Sequence, residues 1–288
     1  MHLDPGPLVV LLVLAAAVLH AGWNAIAHAA EDRLVGFALI SMSTLVLGAL
    51  LVVVGEPVGR HDFALAALSA GLHVAYLLLL MASYQAADLS RAYPLARGTG
   101  VALVAVASVA LPRSPLGLPV ALGTGLVVAG LLGVTFVGPA LTRADGRGIA
   151  LALGTGVTIA GYTVVDGLAV SGGAPVVAYG GWLMLLQSWV VPAYAVAKRR
   201  RALLAVPRGQ VLMGLTGGAV SLLAYGLVLL AQTSGELAAI AALRELSIAF
   251  GVLLGAYVLH ERLARGRVLP ALVLTAGAVV LALGVVGL

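Results

Sequence analysis

Ala92-Tyr93-Pro94-Leu95-Ala96-Arg97-Gly98-Thr99-Gly100 lies inside a long apolar run, yet it holds a proline, an arginine and two glycines. An arginine near the middle of a bilayer costs at least ~3 kcal/mol on insertion scales, so it belongs where it faces a partner or a wet cavity. Arg97 stands about ten residues from one end of its apolar run and about fourteen from the other, roughly 15 and 21 Å at helical rise. Snorkelling to an interface is a poor rescue at that depth. A second interruption, Leu243-Arg244-Glu245-Leu246-Ser247, again sets charges well inside apolar sequence. The rest of the chain reads as scaffolding around these two interruptions.

Of the 288 residues 62% are hydrophobic and 9% charged, with mean hydropathy +1.13. That balance defines a polytopic, all-α membrane protein and lies far from soluble usage. Cysteine is absent, which excludes disulfides, thiolate nucleophiles and Cys-based metal sites together. The net charge of +5 owes most of its excess to Lys198-Arg199-Arg200-Arg201 beside an apolar span. Such a cluster is a topology anchor, and no nucleic-acid partner is expected. The chain has no P-loop, no Gly-x-Ser-x-Gly, no His-Glu-x-x-His and no paired carboxylates on one helix face. Neither an enzyme, an ATP-driven pump nor a bound cofactor is therefore expected.

A hydrocarbon core of ~30 Å calls for spans of about 20 apolar residues. Ten can be drawn, over 8–30, 34–54, 63–85, 87–111, 116–137, 148–169, 176–197, 210–232, 236–259 and 268–288. Ala27-His28-Ala29 mimics a signal-peptide cleavage site, but Met1 to Pro7 holds no Lys or Arg and the apolar run continues past it. The first span is read as a retained helix.

Laid without a gap, residues 71–117 echo 220–266, pairing Tyr76 with Tyr225, Arg113 with Arg262 and Gly117 with Gly266. Ala21-Gly22-Trp23 echoes Ala160-Gly161-Tyr162 more weakly. The chain thus reads as two five-helix halves, 1–139 and 140–288. A repeat with an odd number of spans enters the membrane in opposite senses in its two copies, the inverted plan of many secondary transporters. Loops on one side hold Arg33, Arg91, Arg143, Arg147, Lys198, Arg199, Arg200, Arg201, Arg208, Arg262, Arg265 and Arg267, whereas the other side holds Arg60 and Arg113. The positive-inside rule then predicts both termini outside the cytoplasm.

Five segments carry a family resemblance: His20-Ala21-Gly22-Trp23-Asn24, the run from Ala87-Asp88-Leu89-Ser90-Arg91 to Gly98, Gly161-Tyr162-Thr163-Val164-Val165-Asp166-Gly167, Ala241-Ala242-Leu243-Arg244-Glu245 and Leu259-His260-Glu261-Arg262-Leu263. Over essentially the whole chain the sequence resembles the EamA-type branch of the drug/metabolite transporter superfamily. The resemblance implies ten helices in two inverted halves and a secondary transporter of a small organic solute, such as an amino acid, a metabolite or an amphipathic drug-like compound. Export by alternating access is the implied direction. The alternative from another class is an intramembrane enzyme or a structural membrane subunit. The small multidrug-resistance proteins of the same superfamily look to couple protons through a helix-1 glutamate, and this sequence has His20 at roughly that place.

The polar residues inside the spans are the candidate site. Arg97 and Arg244 line a cavity, or else they form an inter-repeat ion pair with Glu245 or Asp166. Pro94 breaks its helix at depth, or sits harmlessly near the helix start. His20, Trp23, Asn24 and His28 share a helix face that should turn inward. A membrane histidine there serves either a helix-to-helix hydrogen bond or proton coupling. No carboxylate or cysteine stands at ligand spacing, so no metal is expected. Tyr76, Tyr225 and Tyr93 offer rings and hydroxyls to an amphipathic ligand, and aromatic belts account for such residues equally well. Small residues at four-residue spacing, including Gly125, Ala129 and Gly133, read as a packing face. Partners are the solute and the lipid bilayer, with monomer and homodimer left open.

Overall fold

A computed structural model describes residues 5–28, 30, 32–86, 89–110, 117–135, 146–234, 236–250, 266 and 268–287. Among these residues every regular element is a helix. A backbone crossing hydrocarbon must satisfy its polar groups within its own segment, and a helix does so. The helices are α1 (Pro5–His28), α2 (Arg33–Val54), α3 (Arg60–Ala86), α4 (Leu89–Ala110), α5 (Leu118–Thr135), α6 (Gly146–Ser171), α7 (Val176–Gln187), α8 (Val190–Leu204), α9 (Arg208–Gln232), α10 (Leu237–Arg244) and α11 (Val268–Val286).

Nine spans among the described residues are long and apolar enough to cross a membrane, with α7 and α8 together forming one of them, Val176–Leu204. The remaining predicted span, 236–259, begins as α10, and its second part lies outside the described residues. So do the segment joining the two predicted halves and the motif around His260.

Two spans are discontinuous. The first breaks at Ser188, whose buried hydroxyl receives a 3.0 Å hydrogen bond from Thr44 of α2. The second stops at Arg244, turns at Glu245 and resumes as helix over 246–250. That turn is tight: the Glu245 amide donates to the Ala242 carbonyl, and the Ile248 amide donates to the Glu245 carbonyl. By contrast, α4 continues through Pro94 in its second turn, so the proline near the helix start does not break it.

The main contacts between the first five helices and the rest come in reciprocal pairs. α3 packs on α6 as α1 packs on α9, α4 packs on α6 as α1 packs on α10, and α2 packs on α9 as α3 packs on α7. Three further contacts, α2 with α7, α4 with α10 and α5 with α11, join helices at corresponding places.

Small residues let some of these helices approach to backbone contact, as membrane packing requires when no hydrophobic force drives association. A Cβ at Gly130 of α5 would lie 2.7 Å from the Leu274 amide nitrogen of α11, and one at Gly277 would lie 2.7 Å from that of Val127. Helix α5 therefore packs through Gly123, Val127 and Gly130. Of the face expected from sequence, Gly133 lies against Pro270 of α11, whereas Gly125 looks into open space and Ala129 is exposed. Between α6 and α7 the chain reverses at Gly173, whose φ of 106° suits a residue without a Cβ.

One end of the bundle is tied at its rim. Asp32 caps α2 by accepting from the Leu34 amide at 3.0 Å, and its other oxygen accepts from Arg199 Nε at 3.2 Å. The α1–α2 turn and the basic end of α8 thus lie on the same side, as the loop-charge reading requires.

Candidate functional site

The two sequence interruptions meet. Arg97 Nε donates to Glu245 Oε2 at 2.9 Å and Arg97 Nη2 donates to Glu245 Oε1 at 2.6 Å, a fork-on-fork pair. Both side chains are buried, 5% and 3% exposed. Local structure explains the alignment: α4 carries Arg97 on its face toward α6 and α10, and the turn after α10 presents Glu245. Of the partners left open by the sequence, Arg97 takes Glu245.

Arg244 is a different case. It is half-buried, and among the described residues no carboxylate or carbonyl pairs with it. Together with Arg97, Glu245 and Thr163 it lines a narrow space with room for a water-sized body. In this conformation the centre is shut. Tyr93 stands beside the pair, half-buried, within the electrostatic reach of Arg97, Glu245 and Arg244.

Asp166 belongs to a second cluster. It is fully buried on α6 and accepts from the Tyr179 hydroxyl at 2.7 Å on Oδ1 and from the Tyr225 hydroxyl on Oδ2. His73 of α3 stacks on Tyr162 with ring centroids 3.8 Å apart, and its Nε2 lies 3.4 Å from the Tyr225 hydroxyl oxygen. His73 Nδ1 donates to the Ser69 carbonyl at 2.9 Å. Tyr76 packs edge-on against Tyr162, 6.0 Å between centroids.

The α1 stripe is more self-contained. Trp23 Nε1 donates to His20 Nδ1 at 3.3 Å, and the Asn24 amide donates to the His20 carbonyl at 2.7 Å. Trp23 also meets Phe37 of α2 edge-on. The charged groups acting on His20 are Arg97 and Arg244, both cations. The side chain of His28 lies outside the described residues.

The structure therefore gathers Arg97, Glu245, Arg244 and Tyr93 at one centre, brings Asp166, Tyr225 and Tyr76 to another, and holds His20, Trp23 and Asn24 along α1. Sequence reasoning missed His73 and Tyr179. Ser69, His73 and Tyr76 recur at spacings of four and three on α3, a polar face that was the available signal. Tyr179 carried none, because a tyrosine in an apolar span is also what an interface belt contains.

Such a fold, a bundle of apolar spans with two discontinuous helices and charges paired at depth, defines a polytopic helical membrane protein. Residues 146–283 match the model of the EamA-like transporter family, part of the drug/metabolite transporter superfamily. Over that stretch, α6 to α11, the chain is similar to a family of membrane transporters of small solutes. A solved crystal structure, described only as that of a protein, superposes with TM-score 0.74 at 15% identity, covering 94% of this chain and 97% of that one. At that identity the likeness is one of fold. No curated protein sequence matches the chain.

Proposed function

We propose that the chain is a secondary transporter of a small carboxylate-bearing solute, with Arg244 as the cation that receives the carboxylate. The observation that carries this is a half-buried arginine, unpaired among the described residues, beside a satisfied ion pair. A cation at that depth is expensive unless something neutralises it, and a guanidinium fork suits a carboxylate. The water-sized space means that a solute enters only when the halves part. In this reading the Arg97–Glu245 pair is a latch between residues 1–139 and 140–288, and its opening gives alternating access. The reciprocal packing of the helices supports two inverted halves. Export is the direction the family resemblance favours.

Proteoliposomes test the proposal. A panel of tritiated amino acids and monocarboxylates is expected to contain at least one member that crosses faster than in empty vesicles. If none does, with or without an imposed proton gradient, the transporter of carboxylate-bearing solutes is lost as a reading and the structural-subunit alternative gains.

The orientation proposed has both termini outside the cytoplasm. The chain has no cysteine, so single cysteines report sidedness against an impermeant maleimide. Ser114→Cys should label in intact cells and Arg200→Cys only after lysis. The reverse pattern would invert the assignment.

A further inference from the structure

Asp166 and His73 Nε2 both stand against the Tyr225 hydroxyl, which has one proton to give. The His73 tautomer follows from its other nitrogen. Ser69 stands against Nδ1 with its carbonyl at 2.9 Å, which only accepts, and its hydroxyl at 3.3 Å, which accepts as well as donates, so a hydrogen on Nδ1 serves the shorter contact and a neutral ring leaves Nε2 bare. The Tyr225 hydroxyl donates its proton to the Asp166 carboxylate, the stronger acceptor, and Nε2 then faces an oxygen with no hydrogen to share. The cluster is one proton short of satisfying every contact in it.

We infer that His73, Tyr225 and Asp166 form a one-proton binding site inside the membrane, separate from the Arg97–Glu245 pair. A proton taken up on Nε2 makes His73 an imidazolium that donates to the Tyr225 oxygen, while Tyr225 still donates to Asp166. Passing the Nε2 proton to Tyr225 as Tyr225 gives its own to Oδ2 leaves a neutral ring, a neutral tyrosine and a protonated carboxyl. No other reactant is needed, and the charge crosses from α3 to α6 through α9.

The groups that face the cluster come from several helices. Facing the cluster are His73 and Tyr76 from α3, Tyr162 on α6 itself, Tyr179 from α7 and Tyr225 from α9. Arg244 of α10 acts on His73 and Tyr225, Asp62 acts on Tyr179, and α4 presents Arg97, which is bound to Glu245. A proton at His73 therefore has the Asp166 carboxylate, on the far side of the Tyr225 hydroxyl, as counter-charge. Buried carboxylate and histidine chains of this kind are how transporters move protons across the hydrocarbon. Use of the site to couple transport rests on the transporter reading, but its detection does not.

The probe is the proton. Purified full-length protein in weakly buffered detergent is taken from about pH 8 to about pH 5, the range in which histidine sites exchange protons, and uptake is counted with an indicator dye. Wild type is expected to take up about one proton more than Asp166→Asn or His73→Gln, and the double variant to lose that same proton and no second, because coupled groups titrate as a unit. Tyr225→Phe keeps the ring against His73 and removes only the linking hydroxyl, so it should lose the proton too. It also keeps the test open if Asp166→Asn fails to fold. Equal uptake by wild type and Tyr225→Phe overturns the site, as does a loss of two protons in the double variant. No solute is involved, so a negative vesicle assay with this proton count intact would reject the transporter reading and leave the site standing.

Discussion

Glu245→Gln is expected to lower thermal stability by about 3 to 5 kcal/mol, and Arg97→Gln to do the same, with most of the loss recovered when both are made together. The two groups are bound by two hydrogen bonds, 2.6 and 2.9 Å long, with 5% and 3% of their side chains exposed. Removing either partner strands a full charge in a space with room for no more than a water-sized body. The double variant strands none, and its two amides can still bond to one another. Thermal unfolding of the purified proteins in one detergent reads the three values. If each single variant loses less than about 1 kcal/mol, the range of a solvent-exposed pair, the centre is wet in solution and the pair is no latch. Additive losses in the double variant would show that each residue is held by something other than its partner.

The helical membrane class was legible because it depends on composition, and among the described residues nine of the predicted spans appear as apolar helical spans, the seventh running on to Leu204 instead of ending at 197. Breaks were harder to place. Pro94 drew attention as a helix breaker, yet α4 tolerates it in its second turn, while the chain breaks at Glu245, where no proline is near, and at Ser188, four residues before Pro192, which has no N–H to bond the Ser188 carbonyl. The turn at Glu245 meets a guanidinium of α4, about which local sequence is silent, whereas the break at Ser188 had a local signal in Pro192 and also meets a hydroxyl of α2. The same reason governs the site. A charge inside an apolar span announces that it needs a partner, which is why Arg97, Glu245 and Asp166 could be singled out. Which partner it takes depends on how the helices are rotated against one another, which local sequence does not fix. Rotation likewise decides which glycines of α5 meet α11: Gly123, Gly130 and Gly133 do, and Gly125 does not.

Arg244→Gln is expected to reduce transport at least roughly tenfold, the loss of about 1.4 kcal/mol of binding, while thermal stability stays close to that of wild type. The contrast with its neighbour in the fold is the argument. Arg97 is spent on Glu245, so neutralising it damages the protein before any solute arrives. Arg244 has no partner among the described residues, so neutralising it strands nothing and removes only what it offers to a ligand. It even relieves the like-charge field between the two arginines, so a small gain in stability is compatible with the reading. Arg244→Lys separates charge from shape: an ammonium keeps the attraction but loses the two parallel donors that match a carboxylate. Affinity for the transported panel member should therefore fall in the lysine variant, by less than in the glutamine variant, with the maximal rate less affected. Transport at the wild-type rate in Arg244→Gln would remove this residue from the solute path. A loss of stability as large as that of Arg97→Gln would mean that Arg244 too has a structural counter-charge, and the docking cation would have to be sought elsewhere in the bundle.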